Sequence, residues 1–145
     1  MKKVQIKDFI FFNNPSVEEY YYYFRLSDSE IISREVLKRE YGFDDLLLAD
    51  TWELHYSYDI IPVFNVDNEK IMCEYLGNMK NREIDRILKN MTYDDLYQWF
   101  ERRCEIERSF SDWDSYRERK IIESAVEWCN ENNIPYTKGD VYEHN

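Results

Sequence analysis

The apolar residues of this chain change their period about halfway along it. In the first half they tend to alternate, and in the second they recur every three or four positions. A strand sends successive side chains to opposite faces, whereas a helix returns to the same face after one turn. Strands first and helices afterwards predict an α+β fold: an antiparallel sheet from the N-terminal half packed against C-terminal helices. The 145 residues show no internal repeat and no Gly- or Ser-rich linker, so a single α+β domain over 1–145 is expected.

In the first half, Val4, Ile6, Ile10 and Phe12 share one face of a strand over 3–12, interrupted by Asp8. The tyrosine-rich stretch 19–26 has high β-propensity, with a short helix opened by Val17, Glu18 and Glu19 as the alternative. Ser27 and Glu30 have capping-box spacing, which predicts a helix over 28–41 ending at Gly42. The clearest alternation sets Trp52, Leu54, Tyr56 and Tyr58 against Thr51, Glu53, His55 and Ser57, and it predicts a strand. Two more β-rich runs, 60–66 and 69–76, are separated by Asp67-Asn68, a pair suited to a tight hairpin.

The second half reads as helices. Ile84, Ile87, Leu88 and Met91 form one stripe. Thr92, with Asp95 three residues on, opens a helix that buries Leu96, Phe100 and Cys104. A break is expected over 109–115. A last helix over 115–132 then buries Ile121, Ile122, Ala125, Val126 and Cys129, stopped by Asn132, Asn133 and Pro135. A short closing strand is expected at 135–137 or 140–142.

Charge is the other constraint. Thirty Asp and Glu against 19 Lys and Arg give a net charge of −11. Its distribution is uneven. The thirty residues between Arg39 and Lys70 contain Glu40, Asp44, Asp45, Asp50, Glu53, Asp59, Asp67 and Glu69 but no Lys or Arg, a local charge of −8. Glu123, Glu127 and Glu131 form a second acidic stripe, four residues apart on one helical face. Such a field disfavours direct binding to nucleic acid or to an anionic membrane. The longest apolar runs are too short to span a bilayer, and no signal peptide is expected from MKKVQIKDFIFF, where Asp8 breaks a short apolar run.

Motifs for chemistry are sparse. Gly42, Gly77 and Gly139 are each isolated, so no glycine-rich phosphate loop exists. Cys73, Cys104 and Cys129 are odd in number and widely spaced, which fits reduced thiols in a cytoplasmic protein. With His55 and His144 they make no familiar zinc pattern. Glu53 and His55 would share a strand face as an acid–base pair, or as an exposed polar face. Asp59, Asp67, Glu69 and Lys70 faintly suggest a metal-dependent nuclease, although adjacent strand residues point oppositely. No catalytic residue, metal or cofactor is implied.

These features favour a small acidic inhibitor, more an interaction protein than an enzyme. Carboxylates one helical turn apart are roughly 6 Å apart along the axis, comparable with successive phosphates. An acidic face can therefore act as a nucleic-acid mimic in the cationic groove of a nuclease or an RNA-guided defence protein. A phage or plasmid anti-defence protein, or a toxin-immunity protein, fits this expectation. The partner-binding residues expected are Asp44, Asp45, Asp50, Glu53, Asp59, Glu123, Glu127 and Glu131, with Trp52 and Tyr56 as aromatic anchors. Reversing Asp44, Asp45, Asp50 and Glu53 to Lys is expected to spare the fold. The alternatives are a pocket between sheet and helices that takes an anionic nucleotide through tyrosines and Arg25, Arg102 or Arg103, and a homo-oligomer with aromatic subunit contacts.

Overall fold

The computed structural model of the chain describes residues 2–13 and 20–139. The tyrosine-rich run becomes β2 (Tyr22–Arg25), the middle strand of an antiparallel sheet between β3 (Glu30–Ser33) and β4 (Ile60–Pro62). Tyr23 pairs with Ile32 and Pro62, and Phe24 pairs with Ile31 and Ile61. Strand side chains alternate between faces, so this register gives the sheet two apolar faces and two cores. Phe24 and Ile61 enter a core with Val4, Ile6, Phe9 and Val63, completed by Ile122, Ala125, Trp128 and Cys129. Tyr23, Ile32 and Ile60 enter another core with Leu37, Phe43, Leu48 and Leu54.

The helices that cover the second face are α2 (Arg34–Tyr41), α3 (Asp45–Ala49) and α4 (Thr51–Tyr58). The first face is covered by α1 (Asp8–Phe11) and by residues 121–131 of α8 (Phe110–Glu131). β1 (Val4–Gln5) pairs in parallel with β5 (Tyr136–Thr137), with the Val4 N–H donating to the Pro135 carbonyl at 3.0 Å. The fold is α+β: an antiparallel sheet in the N-terminal half, with a C-terminal helix packed on one of its faces.

The chain divides into two compact units, Met1–Val66 with Ile121–Asn145, and Asp67–Lys120. The second is helical: α5 (Asn68–Gly77), α6 (Arg82–Asn90), α7 (Tyr93–Glu107) and the first turns of α8. It buries Ile71, Met72 and Leu76 of α5, Ile84 of α6, and Leu96, Phe100 and Cys104 of α7. The Tyr75 ring meets Phe100, Trp113 and Tyr116 at 6.0, 5.4 and 5.0 Å. Among the described residues no helix is long and apolar enough to cross a membrane.

Several local expectations are overturned. The strand expected over 51–58 is α4. Asp50 accepts the Glu53 N–H at 3.1 Å and starts the helix, and only Leu54 of that stretch is buried. The strand expected over 69–76 is α5, because Asp67 is its N-cap rather than a turn residue and accepts the Lys70 N–H at 3.2 Å. The helix expected over 28–41 splits into β3 and α2. Its cap is Ser33, which accepts the Val36 N–H at 3.2 Å, while Ser29 turns the β2–β3 hairpin at φ 59°. The strand over 3–12 shrinks to β1 and gives way to α1. The break over 109–115 contracts to Arg108, at φ 55°, and Ser109. The closing strand is at 136–137, and residues 140–142 lie outside the described residues.

Candidate functional site

The site is built by two short helices joined through one residue. Asp44 caps α3, accepting the Leu47 N–H at 2.8 Å, and Asp50 ends α3 and caps α4. A carboxylate is a strong cap because its charge meets unpaired N–H groups at a helix start. Leu48 and Leu54 turn inward to the core beneath. What remains outside is Leu46 at 84% exposure, Trp52 at 68% and Tyr56 at 77%. Trp52 and Tyr56 are one helical turn apart, and their rings lie nearly parallel, 8° between planes and 4.9 Å between centroids. Most other ring pairs in the molecule are tilted or edge-on and involve buried or half-buried rings, so this exposed stack stands apart.

The structure sorts the expected acidic residues into three groups. Asp44, Asp50, Glu53 and Asp59 run along the same two-helix segment as the stack. Glu53 accepts a hydrogen bond from the Ser57 hydroxyl. Asp59 closes α4 in the left-handed conformation at φ 58°, its carbonyl taking the Leu26 N–H at 2.8 Å. Asp45 is different: Arg34 and Lys38 of α2 each reach it at 2.9 Å. The hydrogen bonds from Lys38 and Arg34 hold its carboxyl below the usual carboxylate range. The cation-free window therefore receives two cations from the preceding helix. Glu123, Glu127 and Glu131 form the third group. They are exposed on α8, whose buried residues pack on the opposite face of the sheet from α3 and α4. The two stripes are thus not one flat surface.

The cap geometry also changes what charge reversal would do. Lysine at Asp44 or Asp50 would delete a cap, at about 1 kcal/mol each. At Asp45 it would face Arg34 and Lys38. Fold and charge would be perturbed together.

Other chemistry does not assemble. In α4, Glu53 and His55 are two residues apart and do not face each other, so the acid–base pair expected from a strand is lost. Glu69 and Lys70 lie in the first turn of α5. Among the described residues no group of three His, Cys, Asp or Glu side chains could hold a metal ion, and His144 lies outside them. Cys104 and Cys129 are buried and Cys73 is partly so. Burial pushes all three thiols up, Cys129 to about 11. A protonated thiol is a poor nucleophile.

The arginines considered for an anion pocket are dispersed. Arg25 forks onto both oxygens of Asp28 at 2.8 and 2.7 Å and donates to the Tyr41 hydroxyl. Arg103 lies 5.4 Å from the Trp99 ring and 3.1 Å from Glu107, an ion pair without hydrogen-bond alignment. Arg102 is exposed on α7. An open cleft of about 660 Å³ is lined by Arg34, Lys38 and Arg39, but also by Asp45 and Glu35, which pair with them.

Leu46 is the site residue the sequence reading passes over, and the stack itself was hidden by the strand expectation. Asp50 followed by Glu53 is the signal that marks this segment as a helix start. No protein-family model, no curated protein and no solved structure matches this chain.

Proposed function

We propose that this protein binds a partner with a basic surface and blocks it, through the acidic and aromatic face of α3 and α4. The observation that carries this reading is the parallel Trp52–Tyr56 stack, exposed in a segment that holds Asp44, Asp50, Glu53 and Asp59 and no Lys or Arg. Tryptophan and tyrosine are the residues on which interface energy concentrates. A planar guanidinium stacks on such rings and pairs with nearby carboxylates. The surrounding field steers a cationic partner toward the face. Surfaces rich in Arg and Lys are those that hold nucleic acid, so the reading extends to inhibition of a nucleic-acid-processing protein by mimicry. A phage or plasmid protein that counters a nuclease or an RNA-guided defence protein, or an immunity protein against a nuclease toxin, would act in this way, in the reducing cytoplasm that suits three free thiols.

The test is capture of the partner on tagged protein from a native lysate at low and high salt, followed by titration of the purified pair. Asp44→Asn with Asp50→Asn and Glu53→Gln removes three charges while Asn retains both caps. Trp52→Ala with Tyr56→Ala removes the stack. The reading predicts salt-sensitive binding of a basic protein, weakened at least tenfold by either set. Unchanged affinity in both sets would overturn it.

A further inference from the structure

The sheet has two edges, and they are finished differently. On β4, the Leu26 N–H donates to the Asp59 carbonyl at 2.8 Å and the Val63 N–H to the Tyr22 carbonyl at 2.9 Å. With Ile61 paired to Phe24, that alternation turns Ile60 and Pro62 outward. Proline has no N–H, and its presence is a common way to close an edge against further pairing. β3 has no such guard. There the Arg34 N–H donates to the Tyr21 carbonyl at 2.6 Å, so Ile32 and Glu30 bond to β2 while Ile31 and Ser33 face outward. The Ser33 carbonyl begins α2. No hydrogen bond among the described residues engages the N–H or C=O of Ile31 or the N–H of Ser33.

A groove of about 610 Å³ lies along this edge, and all four residues of β3 line it. Its walls are apolar on both sides of the strand. Phe12 and Tyr22, edge-to-face at 5.1 Å, stand beside Ile31. Val36 and Tyr41 of α2 stand beside Ile32. Three charges line it. Arg25 and Asp28 satisfy each other, and Glu30 has no cationic partner among the described residues. The groove thus presents strand groups without hydrogen-bond partners among the described residues, an apolar lining and a carboxylate, Glu30, that forms no salt bridge there, with Lys2 and Lys3 lining the adjoining groove that Glu30 and Ile31 share.

We propose that the β3 edge docks an extended segment of a partner protein by strand addition. The occupant is apolar at its centre, to fill both walls, and carries a basic residue beside Glu30. Backbone pairing with Ile31 and Ser33 supplies the register, and the two apolar walls take alternate side chains. This site stands apart from the α3–α4 face and does not depend on it.

The probe is a labelled synthetic peptide, acetyl-Lys-Val-Ile-Val-Lys-amide, titrated by fluorescence anisotropy, with the Glu-flanked counterpart as charge control. Amide hydrogen exchange on the wild-type protein is the second readout. The Lys-flanked peptide binds, the Glu-flanked one binds several-fold more weakly, and the Ile31 and Ser33 amides slow on addition. Ser33→Pro removes the edge N–H at a backbone φ of −74° that proline adopts freely. Ser33→Ala keeps that N–H and loses the same cap. Affinity for Ser33→Pro falls about tenfold below that for Ser33→Ala, the worth of one backbone hydrogen bond. No binding by the Lys-flanked peptide, unchanged exchange at Ile31 and Ser33, or equal affinity in the two Ser33 variants would each overturn the proposal. The exchange measurement stands even if Ser33→Pro fails to fold.

Discussion

In α7, residues four apart send Leu96, Phe100 and Cys104 inward, and the Phe100 ring meets Tyr75 and Trp113 at 6.0 and 5.2 Å. In α4, the same spacing sends Trp52 and Tyr56 outward, and Leu54 is its one buried residue. Large rings at helical spacing therefore do not identify a buried face. The face that turns inward is set by what lies beneath each helix: Tyr75 and Trp113 under α7, and Tyr23, Leu37 and Ile60 under Leu54. A helix that buries one residue of eight and stacks two rings in water is held by its caps, by Leu54, and by the Tyr58 ring, which packs on Phe43 at 4.7 Å.

Truncation should separate the two helices most sharply. Phe100→Ala is expected to cost about 3–5 kcal/mol, through lost burial and the cavity left behind. Trp52→Ala is expected to cost under about 1 kcal/mol, because it removes only an exposed turn-to-turn contact. Urea denaturation of both variants checks this, and comparable losses would end the contrast. The caps come next. Asp50→Ala should destabilise by about 1 kcal/mol and Asp50→Asn by much less, since asparagine accepts the same Glu53 N–H. If both cost the same, charge rather than capping holds α4.

Thiol chemistry gives a finer comparison. In the native protein Cys73 should react first with a thiol reagent, while Cys104 of α7 and Cys129 of α8 react only after denaturation. The raised thiol of Cys129 also has a pH signature. Its folded value, about 11, exceeds the ordinary 9.0. The stability it contributes is therefore complete below about 9 and is lost as pH rises toward 11. Cys129→Ser or Cys129→Ala should remove that alkaline component in a pH-dependent melting series. The smallest effect belongs to Asp45. Its folded value lies below the ordinary 3.8, so its contribution is present above that pH and fades as pH falls through the lowered value. Asp45→Asn should flatten the acid limb of the stability curve slightly.

α7 was legible because its signals agreed: the Thr92 cap, an apolar stripe at one-turn spacing, and a following break. α4 was not, because Thr51–Tyr58 alternates perfectly in polarity while most of its side chains end in solvent, where no period is enforced. Asp50 and Glu53 carry the contrary signal, a helix cap and a first-turn acid, beneath an alternation that reads as a strand. The same residue type misled at Asp67, whose carboxylate starts α5 instead of turning a hairpin. At β3 the misleading residues were Ser27 and Glu30, which imitate a cap that Ser33 in fact supplies. The acidity of 44–59 was plain in the sequence. That Arg34 and Lys38 neutralise Asp45, and that Glu123, Glu127 and Glu131 belong to the other side of the sheet, depends on contacts that no local pattern encodes.

The parallel pairing of β1 with β5 has a consequence for the order of events during synthesis. Val4 pairs with Tyr136, and the core against the sheet is completed only by residues 122–134. As the chain leaves the ribosome, the contiguous stretch 67–120 emerges before that core can close. The residues of α3 and α4 emerge earlier still, together with every residue of the core beneath them, while the other face of their sheet stays open. Long-range closure of this kind is slow relative to local helix formation. The core beneath the acidic, aromatic face draws only on Tyr23 to Ile60, so a chain cut before residue 121 would contain that face and its core while leaving Phe24 and Ile61 of the same sheet uncovered.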